Sequence, residues 1–314
     1  MTGPRLFCFG FGYTALALAR RLAATGWLVS GTCRSAAKAA SLRAAGFAAE
    51  LFDRDHPLAP SALRGVTHIL VSVPPEATGD PVLARRGHDI AAMPGLAWLG
   101  YLSTTGVYGD RGGGWVDEGS ALLPTGERGR RRVAAEEAWL DLWRRRGAPV
   151  HIFRLAGIYG PGRSPFDALR AGMAKRIEKA GQVFSRIHVD DLAGVLAASM
   201  ARPYPGTVYN VCDDEPAPPQ AVVAHAAALL GIEPPPLVRF DAAELTPMAR
   251  SFYDDNKRVS NHRIKAELEV TLRYPDYRTG LAAILADETC RSGRHPASSD
   301  ENREPLHPVR EEKP

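Results

Sequence analysis

A glycine turn near the N-terminus constrains the fold of this chain more than any other feature. Gly10-Phe11-Gly12-Tyr13-Thr14-Ala15 follows the apolar run at 6–9 and precedes a segment in which leucine and alanine recur at helical spacing. A strand, a GxGxxA turn and a helix in this order are typical of a βαβ unit whose backbone approaches a pyrophosphate. We therefore predict that Gly10, Gly12, Tyr13, Thr14 and Ala15 bind a dinucleotide cofactor through the helix N-terminus. The structural alternative is a glycine pair needed only for helix packing.

The end of the second predicted strand indicates which dinucleotide is bound. An NAD site usually places Asp or Glu there to bind the ribose 2′-hydroxyl, but this chain has Arg34, with Ser35 beside it. A guanidinium suits a 2′-phosphate, so we predict NADP as the preferred cofactor and NAD as a possible one. The alternative is an arginine on the sheet rim without a ligand. Asp53, Val73 and Pro74, at the ends of the next two predicted strands, complete the predicted cofactor site.

The order of apolar runs and helical patterns predicts the fold class. Further strands are predicted at 27–29, 47–52, 68–73, 96–102 and 150–155, with helices at 36–45 and about 130–146. This alternation favours an α/β fold with a Rossmann-type doubly wound parallel sheet and a smaller mixed C-terminal substrate lobe. We assign 1–157 and 187–212 to a dinucleotide-binding domain, and 158–186 and 213–290 to the lobe. The polar tail at 291–314 has almost no aliphatic residues and is expected to be disordered.

Composition excludes several protein classes. Apolar residues make up 45% and charged residues 24%, as in ordinary globular proteins. The longest uncharged stretch considered, 192–201, is about half of the roughly 20 residues that a bilayer requires, and no signal peptide is evident. The four cysteines lie far apart without a CxxC pair, so neither a disulfide framework nor a metal site is expected. We predict a cytoplasmic location and no membrane partner.

The net charge of +4 is too small to indicate a nucleic-acid surface. Two arginine runs, at 130–132 and 144–146, are interpreted as the solvated face and last turn of one helix, where cations favour the macrodipole. A phosphate-binding patch is the alternative. The expected partner is a small-molecule substrate rather than a nucleic acid, and the protein is expected to be a monomer or homodimer.

Four motifs follow one another in the order of a known family. They are Gly12-Tyr13-Thr14-Ala15, Ser103-Thr104-Thr105-Gly106-Val107-Tyr108-Gly109, Arg154-Leu155-Ala156-Gly157-Ile158-Tyr159-Gly160-Pro161-Gly162-Arg163 and Arg186-Ile187-His188-Val189-Asp190-Asp191-Leu192-Ala193. Val208-Tyr209-Asn210-Val211 also matches. With these motifs the chain resembles the extended short-chain dehydrogenase/reductases, or NAD-dependent epimerase/dehydratases, and within them the atypical members. The resemblance covers about residues 5–286.

The resemblance implies a set of catalytic positions. In the family's oxidoreductases a Ser or Thr binds the substrate oxygen, and the Tyr of a Tyr-x-x-x-Lys motif exchanges its proton. Aligned on the Val-Tyr-Gly triplet, Thr104 takes the Ser/Thr position, whereas Arg128 and Arg132 stand where Tyr and Lys are expected. Arginine stays protonated and cannot exchange a proton, but Arg128 could clamp an oxyanion and Arg132 a ribose hydroxyl. Tyr108 is the candidate replacement donor, so Thr104, Tyr108, Arg128 and Arg132 form the predicted catalytic set.

Several other residues could have a functional role or only a structural one. Tyr253 and Lys257 form the one literal Tyr-x-x-x-Lys, but they lie in the predicted lobe and are taken as coincidence. Phe184 stands where sugar-nucleotide members of the family usually carry a diphosphate-binding arginine, although Arg186 is near. His188 is a candidate base, yet a packed histidine at a strand-to-helix turn is favoured. Asp190 and Asp191 are expected as a helix N-cap pair.

Two functions remain open. One is an NAD(P)-binding oxidoreductase or isomerase of the epimerase/dehydratase type, with a non-standard acid/base and a small polar or anionic substrate. The other is a catalytically silent dinucleotide-binding or redox-sensing module. Two arginines one helical turn apart would repel each other unless an anion lay between them, so the pocket is expected to receive an anionic group.

Overall fold

The computed structural model describes residues 3–53 and 55–292. The strands in that part of the chain are β1 (Arg5–Phe9), β2 (Leu28–Cys33), β3 (Ala48–Leu51), β4 (His68–Val71), β5 (Trp98–Thr104), β6 (Trp115–Val116), β7 (Val150–Leu155), β8 (Gly157–Tyr159), β9 (Arg176–Glu178), β10 (Arg186–His188), β11 (Val208–Val211), β12 (Leu237–Arg239) and β13 (Arg258–Val259). The helices are α1 (Tyr13–Ala23), α2 (Ala36–Ala44), α3 (Pro81–Ala91), α4 (Glu127–Arg146), α5 (Pro165–Arg170), α6 (Val189–Ala201), α7 (Pro219–Leu229), α8 (Pro247–Ser251), α9 (His262–Leu268) and α10 (Tyr277–Ser292).

Seven strands form one parallel sheet in the order β11-β7-β5-β4-β1-β2-β3. The chain leaves β1 towards β2 and β3, then returns to place β4 on the other side of β1. The strand order therefore reverses between β1 and β4, and such a switch point opens a crevice at the carboxyl ends of the strands, where α/β proteins bind ligands. The predicted α/β class with a doubly wound parallel sheet is confirmed.

Both faces of this sheet are buried, which explains the continuous apolar runs in its strands. Leu6 and Cys8 point to one face, and Phe7 and Phe9 to the other, as the two-residue period of a strand requires. The first face is covered by apolar residues of α1 and α6, including Leu18, Leu22, Leu192 and Leu196. The second is covered by residues of α3 and α4, including Val82, Ile90, Ala135 and Trp139.

A smaller cluster lies beyond the sheet. Residues of α5, α7 and α10 pack around Tyr159 and Phe166, and three two-stranded parallel sheets, β8–β10, β9–β12 and β6–β13, connect the surrounding segments. From β10 the chain continues through α6 into β11, and so returns to the large sheet. The division at the boundaries given above stays a prediction.

The end of the chain departs in part from expectation. The last helix, α10, extends to Ser292, so the first two residues of the predicted tail, 291 and 292, are helical. The remainder of the expected disordered tail, 293–314, lies outside the described residues. In the described part of the chain, no helix combines the length and the apolar character needed to cross a membrane.

Candidate cofactor and active site

The turn after β1 is built around Gly10. Its φ of 85° lies in the left-handed region, and a Cβ there would stand 2.7 Å from Ser72 Oγ, so glycine is required. Ser72 Oγ donates to the Gly10 carbonyl at 2.5 Å, and the Gly10 N–H donates to Thr32 Oγ1 at 3.0 Å. The Phe11 N–H donates to the Thr32 carbonyl at 2.6 Å. These bonds fix the turn between β2 and β4, at the switch point of the sheet.

The N-terminus of α1 presents backbone donors. Gly12 is the N-cap, no side chain caps the helix, and the first turn has no acidic residue. The first helical hydrogen bond runs from the Leu16 N–H to the Gly12 carbonyl at 2.9 Å. The N–H groups of Tyr13, Thr14 and Ala15 therefore have no partner within the helix. With the helix dipole, three such donors suit an anionic phosphate.

The side chain of Tyr13 contacts the loop after β8. Its hydroxyl donates to the Pro161 carbonyl at 3.1 Å, and the Arg163 guanidinium lies 5.8 Å from the centre of its ring. A Cβ at Gly160 would come within 2.5 Å of the Tyr13 hydroxyl, so this approach also requires glycine. Burial raises the pKa of Tyr13 to about 12, which keeps the hydroxyl a donor. The motif at 159–163 thus forms a second wall beside the glycine turn.

The end of β2 leaves a cation exposed. Arg34 is exposed and, within the described residues, has neither a hydrogen bond nor an ion pair. Ser35 Oγ accepts from the Lys38 N–H at 3.3 Å and caps α2. Arg34 is therefore placed as the sequence predicted, and its guanidinium is available to an anion.

The remaining predicted cofactor residues differ in their surroundings. Val73 Cγ2 would lie 3.2 Å from a Cβ at Gly10, so Val73 borders the turn, and Pro74 is exposed beside it. The Asp53 carboxylate instead accepts from the N–H groups of Asp55 and His56, and contacts His56 Nδ1 at 2.8 Å. The bond with His56 holds the pKa of Asp53 below its usual value. The carboxylate of Asp53 is thus already engaged within its own loop.

Thr104 ends β5 at the same edge of the sheet. Its Oγ1 accepts from the Gly106 N–H at 3.1 Å and caps the short 3₁₀ turn Thr105–Tyr108. The first turn of α4 lies close by, because a Cβ at Gly129 would stand 3.0 Å from the Gly106 carbonyl oxygen. Thr104 is half-buried, and its hydroxyl hydrogen remains free to be donated to a ligand.

The two arginines of α4 have different partners. Arg132 Nη1 donates to the Leu102 carbonyl at 2.5 Å and to the Tyr101 hydroxyl at 3.2 Å, two or three residues before Thr104. Arg128 is exposed, and its guanidinium lies 5.5 Å from the centre of the Phe252 ring. Arg132 is therefore held against β5, whereas Arg128 faces the segment after α8.

Tyr108 requires a correction. Its side chain is fully buried, its hydroxyl donates to Asn210 Oδ1 at 2.7 Å, and it accepts from Arg154 Nη1 at 3.0 Å. Burial raises the pKa of this phenol above its usual value. A buried hydroxyl with two partners cannot reach a substrate, so Tyr108 supports the core and does not replace the missing donor.

The partners of Tyr108 belong to a buried network that sequence reasoning missed. Arg154 and Glu136 form an ion pair with 2.8 Å between Nη2 and Oε2, and both side chains are almost fully buried. Ser103, next to Thr104, donates its hydroxyl to Glu136 Oε1. The one available signal was the charge of Arg154 within the mainly apolar strand β7, since Glu136 lies in a helix rich in charged residues. This network lies directly behind Thr104 and fixes β5, α4 and β7 to one another.

His188 and its neighbours also differ in part from prediction. His188 is buried at the turn between β10 and α6, with its ring 4.1 Å from that of Tyr274, as the packed-histidine interpretation expected. However, the N-cap of α6 is His188 itself, because its Nδ1 accepts from the Asp190 N–H at 3.2 Å. Asp191 instead accepts from the N–H groups of Arg273 and Tyr274, each at 2.8 Å. The expected Asp190–Asp191 cap pair is therefore wrong.

Arg186 is held by two backbone carbonyls. Its Nη1 donates to the carbonyls of Phe184 and Ala217 at 2.8 and 3.1 Å. Burial raises the pKa of the nearby Asp213 to about 8. Across the described residues, no group of three or more His, Cys, Asp or Glu side chains is arranged to hold a metal ion.

The literal Tyr-x-x-x-Lys does not form a helical pair. Lys257 Nζ donates to the Gly109 carbonyl at 2.9 Å and to Asp255 Oδ2 at 3.0 Å. Tyr253 instead packs its ring 5.4 Å from that of Phe184. Both residues lie between α8 and β13, outside any helix, which agrees with the interpretation as coincidence.

No protein-family model matches the sequence. Protein YeeZ of Escherichia coli K12 is 28% identical over 282 residues, which cover 85% of this chain and 95% of YeeZ. A 3-diazoavenalumate denitrifying reductase of a Streptomyces species is 32% identical over 141 residues, or 41% of this chain and 45% of that protein.

Solved structures extend the likeness across nearly the whole chain. A conserved protein of unknown function from Silicibacter pomeroyi is 56% identical, with a TM-score of 0.84 over 91% of this chain and 99% of that one. A protein of Methylobacillus flagellatus assigned to the NAD-dependent epimerases/dehydratases is 26% identical, with a TM-score of 0.64 over 92% and 100%. The dTDP-glucose 4,6-dehydratase of Bacillus anthracis, in complex with NAD, is 16% identical with a TM-score of 0.73 over 93% and 98%. The chain therefore has the fold of the NAD-binding epimerases and dehydratases.

Proposed function

We propose that the chain is a member of the extended short-chain dehydrogenase/reductase superfamily, binds a nicotinamide dinucleotide and acts on a small polar or anionic substrate as an oxidoreductase or isomerase. One observation carries this proposal: the three unpaired N–H groups at the start of α1, placed by the Gly10 turn at the switch point of the sheet. The walls of this crevice are built by residues of β1, β2, β4 and the loop at 159–163.

We further propose that NADP is preferred over NAD. The support is Arg34, which is exposed at the end of β2 and has no anionic partner within the described residues. A guanidinium can bind a 2′-phosphate by a charge-assisted, bidentate contact, whereas the 2′-hydroxyl of NAD would find no carboxylate at the usual place. Distant relatives of the same fold bind NAD, so binding of NAD with lower affinity is compatible with this proposal.

The chemistry follows from the residues at the end of β5. A bound nicotinamide supplies or accepts a hydride. Thr104 would donate its free hydroxyl hydrogen to the substrate oxygen, and Arg128 would pair with an anionic group of the substrate. Neither arginine of α4 can exchange a proton. We therefore propose a substrate whose conversion does not depend on the tyrosine proton of the family, and negligible reduction of ordinary neutral ketones.

One observation favours the silent binding module instead. Arg132 already binds the Leu102 carbonyl and the Tyr101 hydroxyl, and Tyr108 is buried, so two of the four predicted catalytic side chains have structural partners. A module without hydride chemistry would use the same glycine turn to bind its cofactor. Both functions require the glycine turn, so turnover of a substrate is the property that distinguishes them.

The test is titration of the protein with NADPH and NADH by calorimetry, followed by absorbance at the nicotinamide band with a set of carbonyl and anionic substrates. We expect micromolar NADPH binding, weaker NADH binding and turnover of an anionic substrate. Tight binding without turnover of any substrate would favour the silent module. No binding of either dinucleotide would overturn the proposal.

A further inference from the structure

Three aromatic side chains from the segments between β9 and β13 pack together, and a fourth, Phe252, contacts Arg128 of α4. The Tyr253 ring is 5.4 Å from that of Phe184 and 5.0 Å from that of Phe240. Phe252 is the adjacent residue, and 54% of its surface is exposed. None of the four belongs to the buried core, since each is half-buried or exposed. We call Phe184, Phe240, Phe252 and Tyr253 the aromatic wall.

Cations lie over the aromatic wall. Arg128 lies 5.5 Å from the ring centre of Phe252, and Lys179 and Arg250 lie 5.2 and 4.8 Å from that of Phe240. Lys179 and Arg250 also donate to backbone carbonyls, but Arg128 has no hydrogen bond or ion pair within the described residues. The guanidinium of Arg128 is therefore free to take an external anion.

Two carboxylates on neighbouring segments have other partners. Asp255 is half-buried and already binds Lys257 Nζ at 3.0 Å and the Thr125 hydroxyl at 2.6 Å. Glu127, next to Arg128 in the helix, pairs with Arg130 and Arg131. Arg128 also lies one residue before Gly129, which packs against the turn that Thr104 caps.

We propose that the substrate is a planar aromatic carboxylate whose ring lies on Phe252 and Tyr253 and whose carboxylate pairs with Arg128. This inference rests on the proposed function, because Arg128 is the residue proposed there to pair with an anionic group of the substrate. A half-exposed aromatic ring binds another ring favourably by stacking, and a free guanidinium binds a carboxylate favourably through two charge-assisted hydrogen bonds. An aliphatic anion would leave the rings uncovered, and a neutral aromatic ring would leave Arg128 unpaired.

Three probes separate the contribution of the ring from that of the charge. trans-Cinnamate has both, trans-cinnamamide has the ring without the charge, and trans-3-cyclohexylacrylate has the charge without an aromatic ring. Binding to the full-length protein is measured by calorimetry, with and without NADPH. We expect cinnamate to bind at least about tenfold more tightly than either analogue, since each lacks one of the two contacts. Equal affinity for all three would overturn the inference.

Two variants locate the contacts. Arg128→Gln should weaken cinnamate about tenfold and leave cinnamamide unchanged, whereas Phe252→Leu should weaken both but not the cyclohexyl analogue. Arg130→Gln is the matched control, because Arg130 is exposed on the same helix and already pairs with Glu127. Thermal unfolding of each variant verifies its folding. Cinnamate affinity that is unchanged in Arg128→Gln, or equally reduced in Arg130→Gln, would refute the assignment.

The same titrations distinguish the two levels of the proposal. If NADPH binds but cinnamate shows no preference over its analogues, the substrate class is wrong and the proposed function stands. If NADPH does not bind, the proposed function fails, whatever the probes show.

Discussion

Glu136→Gln is expected to destabilise the protein strongly, because it removes the charge that neutralises Arg154 in the core. Glu136 is 1% exposed and Arg154 is 4% exposed, and Arg154 Nε and Nη2 lie 3.1 and 2.8 Å from Glu136 Oε2. Breaking a buried ion pair from one side costs about 3–5 kcal/mol. At about 2–4 °C per kcal/mol, the value for domains of roughly 150–250 residues, the melting temperature should fall by roughly 6–20 °C.

The matched control is Glu137→Gln, one residue further along α4. Glu137 is 67% exposed and pairs with Arg144 at the surface. Such pairs contribute about 0–1 kcal/mol, so the melting temperature should change by about 4 °C or less. Circular dichroism at pH 7.5 measures both variants. Equal shifts for the two would refute the claim that the buried pair joins β5, α4 and β7.

Three further predictions address stability at low pH, the choice between NADPH and NADH, and the Tyr and Lys that Arg128 and Arg132 replace. Burial lowers the pKa of His68 and His151 to about 4, so the free energy of unfolding should be greatest above about pH 6.5 and fall as the pH decreases towards 4. His151→Phe should reduce this fall in urea titrations at several pH values. Arg34→Ala should lower NADPH affinity about tenfold and leave NADH affinity unchanged in calorimetry, and an equal loss for both would contradict the 2′-phosphate contact. Arg128→Tyr combined with Arg132→Lys should create weak NADPH-dependent ketone reduction that the parent protein lacks, measured by nicotinamide absorbance; no gain would show that α4 does not face the nicotinamide.

The fold could be predicted because its main signals are local. Parallel strands buried on both faces appear as apolar runs, and the glycine turn after β1 has a backbone that other residues cannot adopt at Gly10. The position of Arg34 at the end of β2 followed from the same pattern. Each of these features depends on residues that are close in the sequence.

The roles of the site residues could not be predicted in the same way, because they depend on distant partners. The hydroxyl of Tyr108 binds Asn210 of β11 and Arg154 of β7, both of which are distant in the sequence. Arg132 is held by a carbonyl of β5, a contact that no spacing reveals. The cap of α6 is the imidazole of His188 because its backbone is extended there and its Nδ1 reaches the Asp190 N–H.

Dinucleotide binding by Gly12→Asp tests the central claim most directly. Gly12 has an ordinary φ of −90°, and a Cβ there would meet no atom closer than 4.0 Å, so an aspartate fits and can serve as an N-cap. Its carboxylate would occupy the place proposed for the cofactor phosphates. We predict a melting temperature equal to or above that of the parent protein and at least about a hundredfold weaker NADPH binding in calorimetry, as the loss of about 3 kcal/mol implies, with uncharged Gly12→Asn retaining more of the affinity. Undiminished NADPH binding by a folded Gly12→Asp protein would contradict the account.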